Sequence, residues 1–264
     1  MANPAFARKV LWIVGMSQPA EVRLLAHAQA GRMDGVCIRT DNTRLPSAIA
    51  RFHQRGLKVY GWRWPAVVPK PHSRTHYYAA DEAMYVAEQL IPKGLDGYII
   101  DPESEPGSPD NDWNKTSLAP LARSFCRTIR DAAVAAGRDD FVFGVTSGCD
   151  YPTSRRRIPW AEFVAASDAL FPQTYWRWTN PATHRIQNIN GGTPDRAIDK
   201  GLASWRRLPG NKPIVPMAGE IDVIAVDEIP SYAARVAAEG VDQYHFYADS
   251  DDVSDATLQA IAAI

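Results

Sequence analysis

Long apolar runs, a surplus of one charge and a cysteine framework are all missing from these 264 residues. No stretch approaches the roughly 20 apolar residues of a membrane-spanning helix, which argues against a membrane protein. Val10-Leu11-Trp12-Ile13-Val14 has the length of a strand, and only Arg8 and Lys9 precede it, so it does not make a secretory leader. The chain as given therefore reads as cytoplasmic, or as exported by a route without a Sec-type mark. With 29 Lys and Arg against 30 Asp and Glu, the net charge of -1 offers no electrostatic reason for a nucleic-acid or anionic-membrane partner. Three cysteines, Cys37, Cys126 and Cys149, are odd in number and far apart, which suggests reduced thiols rather than disulfides. Six histidines form no His-Glu-x-x-His; His72 and His76 are four apart but sit in a polar, Pro-containing loop, so no metal is expected. The first strand runs into Gly15-Met16-Ser17-Gln18 and not a Gly-x-Gly-x-x-Gly turn, which removes the dinucleotide-binding signature, and no cofactor is implied.

What is present is a regular alternation. Strand-like runs are expected at Lys9–Gly15, Gly35–Arg39, Lys58–Trp64, within Gly94–Asp101, and at Phe141–Thr146, Ala169–Tyr175, Lys212–Met217 and Val241–Tyr247. Between them lie helical patterns: from Ser17 or Pro19 towards Gly31, Pro46–Arg55, Asp81–Ile91, Leu118–Ala136 with Gly137 as its stop, Trp160–Ser167, Pro194–Arg207 and Asp227–Glu239. Asp255–Ile264 closes the chain. Eight βα units without linker, repeat or low-complexity segment predict one (β/α)₈ TIM barrel over residues 1–264, with an open doubly wound sheet as the alternative.

In a parallel barrel the C-terminal strand ends form the mouth where chemistry gathers. The fourth strand ends in Ile100-Asp101-Pro102-Glu103-Ser104-Glu105, an unusual concentration of carboxylates after an apolar run. Side chains two apart on a strand share a face, so Asp101 and Glu103 are expected together on the barrel axis, with repulsion raising the pKa of one of them. The same mouth is expected to collect Arg39 and Asp41, Trp62 and Trp64, Gln173, Tyr175 and Trp178, Glu220, and His245, Tyr247 and Asp249. Carboxylates beside aromatics suit glycosidic bond cleavage, where one acid protonates the leaving oxygen and rings hold the sugars.

Asp96-Gly97-Tyr98-Ile99-Ile100-Asp101-Pro102-Glu103 resembles the fourth-strand signature of family 18 chitinases and their relatives. That resemblance implies Glu103 as proton donor and Asp101 as the group orienting a substrate N-acetyl whose carbonyl is the internal nucleophile. Gln173-Thr174-Tyr175 resembles the family's sixth-strand motif, which implies Tyr175 as a partner of the same acetamido group. Ile99 stands where the family has its middle Asp, and Pro102 where it has an aromatic residue. The strand-end Asp-x-Glu is also similar to that of family 25 lysozymes, without their first-strand Asp. Glu103 with Glu220 resembles the acid/base and nucleophile positions of a large retaining-glycosidase clan. The expectation is a glycoside hydrolase for an N-acetylated glycan such as chitin oligosaccharide or peptidoglycan, with Glu103, Asp101 and Tyr175 catalytic. Gln173, Trp62, Trp64, Trp178, Glu220, Tyr247 and Asp41 are expected to bind substrate. A catalytically inactive sugar-binding barrel is the alternative.

Overall fold

The computed structural model describes residues 6–69, 78–104 and 109–264. His72, His76 and Glu105 lie outside them. Chain order is β1 (Lys9–Ile13), α1 (Gln18–Ala30), β2 (Gly35–Arg39), α2 (Leu45–His53), β3 (Lys58–Arg63), α3 (Ala79–Tyr85), β4 (Gly97–Ile100) and α4 (Ala119–Ala135). There follow β5 (Val142–Gly148), α5 (Tyr151–Ser154), α6 (Trp160–Ala166), β6 (Ala169–Gln173), β7 (Arg177–Thr179) and β8 (Ile186–Asn188). The chain ends with α7 (Pro194–Trp205), β9 (Met217–Gly219), α8 (Glu228–Ala237), β10 (Tyr244–Tyr247) and α9 (Asp255–Ala263). Eight strands pair in parallel in the order β1-β10-β9-β6-β5-β4-β3-β2 and close into a barrel, while β7 and β8 form a separate antiparallel pair.

Local chemistry sets most boundaries. Ser17 caps α1 by accepting the Ala20 N–H, and Pro19 occupies its first turn. Gly137 ends the α4 segment at φ 67°, a conformation that costs a residue with a Cβ. Two expectations need correction. The helix read over Asp81–Ile91 is α-helical only to Tyr85; Val86–Leu90 widens into a π-turn and Ile91–Lys93 tightens to 3₁₀. Pro92 explains this, since it has no N–H and its ring crowds the carbonyl four residues back. The strand read over Lys212–Met217 starts only at Met217: Pro213 and Pro216 lack donors, and Ile214 makes an isolated bridge to Leu170. The β7–β8 hairpin has no counterpart in the sequence reading.

Strand alternation sorts the core into two layers. Leu11, Ile38, Tyr98, Val145 and Phe246 point outward and pack under the helices. Trp12, Trp62, Ile99, Phe171 and Met217 fill the barrel interior with Phe6. Gly144 makes room there: a Cβ on it would meet the Phe171 ring at 2.5 Å. All three cysteines are free and buried.

Candidate functional site

The alternation that buries Ile99 on the barrel axis puts Asp101 one layer higher and Glu103 above it, at the mouth. The backbone supports this placement, because Asp101 N–H still donates to the Arg63 carbonyl at 2.8 Å as the strand ends. The same parity delivers Trp62 and Trp64 from β3, Gln173 and Tyr175 from β6, and Tyr247 from β10. With Asp101 and Glu103 they line a cavity of about 560 Å³, joined by Trp178 and Glu220.

Asp101 is 4 % exposed, and the Gln173 amide nitrogen stands 3.2 Å from each of its carboxylate oxygens. Gln173 therefore directs its amide donors at Asp101. Tyr175 and Tyr247 stack with centroids 5.4 Å apart, and Trp62 lies 5.2 Å from Trp64 and 6.0 Å from Tyr247, giving a continuous aromatic wall. Burial pushes both tyrosine hydroxyls upward in pKa, and the nearby carboxylates push the same way, so both remain protonated donors. Burial also raises the Glu220 carboxyl, against the opposing bond from Thr179 N–H at 3.0 Å. That bond ties β7 to the loop after β9.

Four residues expected at the mouth are placed otherwise. Asp41 pairs with Arg39 at 2.6 Å, and Arg39 in turn stacks on Trp64 at 4.9 Å; neither is part of the cavity lining. The chain turns at Thr40, whose hydroxyl bonds Glu82 on α3, and this draws the segment towards the helix layer. His245 lies a layer too deep: it is fully buried, its Nδ1 accepts from Trp12 Nε1 at 3.0 Å, and it packs on Phe171. Asp249 turns towards α1, bonded to Arg23 at 3.0 Å and His27 at 2.6 Å. In the other direction, the cavity contains Trp12, Asn111, Gly148, Cys149, Ile189 and Asn190, which the sequence reading did not assign to it. Trp12 was detectable, since it shares parity with Val10 and Val14 on an inner face. Tyr151 was also missed; its hydroxyl donates to Glu103 Oε2 at 3.2 Å. Among the described residues, no group of three or more His, Cys, Asp or Glu is placed to hold a metal ion. Nor is any described helix long and apolar enough to cross a membrane.

No family model matches the chain, and no curated protein matches it in sequence. Solved structures do. The PgaB (BpsB) glycoside hydrolase domain from Bordetella bronchiseptica superposes with a TM-score of 0.60 at 13% identity, over 96% of this chain and 98% of that one. A glycoside hydrolase family 18 N-acetylglucosaminidase from Paenibacillus barengoltzii gives 0.61 at 13%, over 97% and 98%. The chitinase ICChI from Ipomoea carnea gives 0.55 at 12%, over 97% of both chains. Over nearly its whole described length, the chain has the (β/α)₈ barrel fold on which these glycoside hydrolases are built.

Proposed function

We propose that this chain is a glycoside hydrolase that cleaves an N-acetylated glycan, of the chitin oligosaccharide or peptidoglycan type, with Glu103 as general acid. The observation that carries the reading is Asp101 and Glu103, in successive inward layers, opening into a cavity walled by Trp62, Trp64, Tyr175, Trp178 and Tyr247. Sugar rings offer apolar faces to such walls, and the carboxylates supply the proton and the polar anchor. Likeness of fold to a family 18 N-acetylglucosaminidase and a chitinase supports the choice of an N-acetylated substrate.

In this mechanism Glu103 gives its proton to the glycosidic oxygen while the C1–O bond breaks. The acetamido carbonyl oxygen closes on C1 from the opposite face, so the substrate provides its own nucleophile. Asp101, fixed by Gln173, accepts the acetamido N–H and steadies the charge that develops there. Tyr175, kept protonated, donates to the acetamido oxygen. Water then attacks C1 with Glu103 as base, the internal ring reopens, and Glu103 recovers its proton.

The test is product analysis by mass spectrometry after wild type and Glu103→Gln are incubated with chitin oligosaccharides and purified peptidoglycan, with circular dichroism confirming that both fold. Cleavage by wild type is expected to fall by about 10²–10⁴-fold in the variant, the usual contribution of a general acid. Binding without cleavage by either protein would replace the hydrolase with a sugar-binding barrel.

A further inference from the structure

Three side chains spaced four apart hold three consecutive residues of the segment that carries Glu103. The Ser147 hydroxyl, fully buried at the end of β5, donates to the Pro102 carbonyl at 2.9 Å. The Tyr151 hydroxyl donates to the Glu103 carboxylate at 3.2 Å. Arg155 Nε donates to the Ser104 carbonyl at 3.3 Å, and its guanidinium lies 5.4 Å from the centroid of the Tyr151 ring. Gly148 completes the arrangement: a Cβ there would stand 2.5 Å from two atoms of the Tyr151 ring, so the phenol rests flat against bare backbone. On the other side, Trp113 N–H donates to the Glu103 carbonyl at 2.9 Å and the Ser104 hydroxyl bonds Asp112 at 2.8 Å.

We infer that Ser147, Tyr151 and Arg155 form a clamp that fixes the catalytic carboxyl, and that Tyr151 is its positioning residue. The inference rests on the reading of Glu103 as proton donor. Ser147 and Arg155 fix the backbone on both sides of Glu103, and Tyr151 fixes the side chain. A carboxyl on a strand end has three rotatable bonds and loses proton-transfer efficiency when it leaves reach of the leaving oxygen. Tyr151 stays neutral because burial and the adjacent Glu103 both push its hydroxyl upward, so it is a donor throughout the working range. It holds the Oε2 atom of that carboxylate.

The position of an acid matters most when the leaving group is poor, which gives a readout that general loosening of the fold would not mimic. Tyr151→Phe is expected to lower kcat on unactivated chitin oligosaccharides about 10-fold or more, with KM within about 2-fold, while an aryl N-acetylglucosaminide with an acidic phenol is affected less than about 3-fold. Gly148→Ala should reproduce the pattern by displacing the ring. Equal losses on both substrates, or a rise in KM alone, would show instead that Tyr151 contacts the sugar, and wild-type rates in Tyr151→Phe would end the idea. A second measurement is independent of turnover: the carboxyl ¹³C resonance of Glu103, assigned by its absence in Glu103→Gln. Its movement in Tyr151→Phe supports the clamp, and an unmoved line overturns it. A line moved by Tyr151→Phe, together with a wild type that cleaves neither substrate, supports the clamp contact while it overturns Glu103 as a general acid.

Discussion

Ile99 changes what Asp101 can do. A carboxylate one layer below would share a proton with Asp101, but here the position is filled by hydrocarbon, fully buried between Trp62 and Gly144 of the neighbouring strands. An apolar floor passes no proton, so in the proposed mechanism Asp101 is an acceptor only, and the Gln173 amide contacts both of its oxygens. Hydrogen bonds to a charged group are worth about 1.5–3 kcal/mol, so Gln173→Leu should lower kcat/KM by about 10- to 100-fold. Gln173→Glu should do at least as much damage, because it sets a second carboxylate within 3.2 Å of the first. Steady-state kinetics beside a melting curve checks this, and a Gln173→Leu protein with wild-type kcat/KM would remove Asp101 positioning from the mechanism.

At the scale of elements, the β7–β8 hairpin is what turns a barrel mouth into a cleft, since Trp178 lies on it and Ile189 and Asn190 follow it. Glu228 at the start of α8 anchors it, accepting from Trp176 Nε1 at 3.0 Å, from Arg177 Nε at 3.1 Å and from Ala225 N–H at 2.9 Å, and pairing again with Arg177 at 2.5 Å. Burial pushes the Glu228 carboxyl up, but the Trp176 and Arg177 bonds outweigh it and hold the carboxyl below the usual range. Glu228→Ala leaves the buried Trp176 N–H without this acceptor, at a cost of about 1–3 kcal/mol, and frees the hairpin. The expected result is a KM raised several-fold for oligosaccharides long enough to reach Trp178, with disaccharide-sized substrates unaffected; titration with substrates of increasing length measures it. Trp178 was legible as a mouth residue, but the hairpin and its Glu228 anchor were not, because three-residue strands are too short to show alternation and the aromatic run from Tyr175 to Trp178 reads as an extension of β6. Tyr151 was hidden for a similar reason: α5 is a single turn with no apolar period. The barrel, by contrast, was legible from eight βα units, and the inward pair Asp101 and Glu103 from parity alone. Parity does not hold beyond every strand end: it reaches Asp101 and Glu103 after β4, but Asp41 is held by Arg39 and Asp249 by Arg23 and His27, and neither lines the cavity. It also gives no depth, which is why His245 was read one layer too high.

For the whole molecule, two buried groups set opposing responses to acid. His245 is sealed in the barrel interior, and burial lowers its pKa from 6.5 to about 3. Between those values the unfolded chain binds a proton that the folded one refuses, so this group contributes stability above pH 6.5 that is lost as pH falls towards 3. Glu82, on α3, lies under the sheet with the Thr40 and Tyr98 hydroxyls on Oε1, and burial raises its pKa from 4.5 to about 7. There the folded protein takes up the proton first, so the group penalises the fold above pH 7 and the penalty is relieved on acidification to 4.5. Over pH 4.5–6.5 the two slopes oppose one another, and wild-type stability should be flatter than that of either single variant. His245→Phe removes the destabilising proton and keeps an aromatic ring beside Phe171, but it deprives Trp12 Nε1 of its acceptor. It should therefore be less stable than wild type at pH 7 by about 1–3 kcal/mol and close that gap as pH falls. Glu82→Gln should do the opposite, losing ground to wild type as pH falls through the same window. Urea unfolding of the three proteins at half-unit steps from pH 7 to 4.5 measures both slopes. If the gap between His245→Phe and wild type stayed constant with pH, His245 would not titrate on unfolding in this range, and the balance between the two groups would be lost with it.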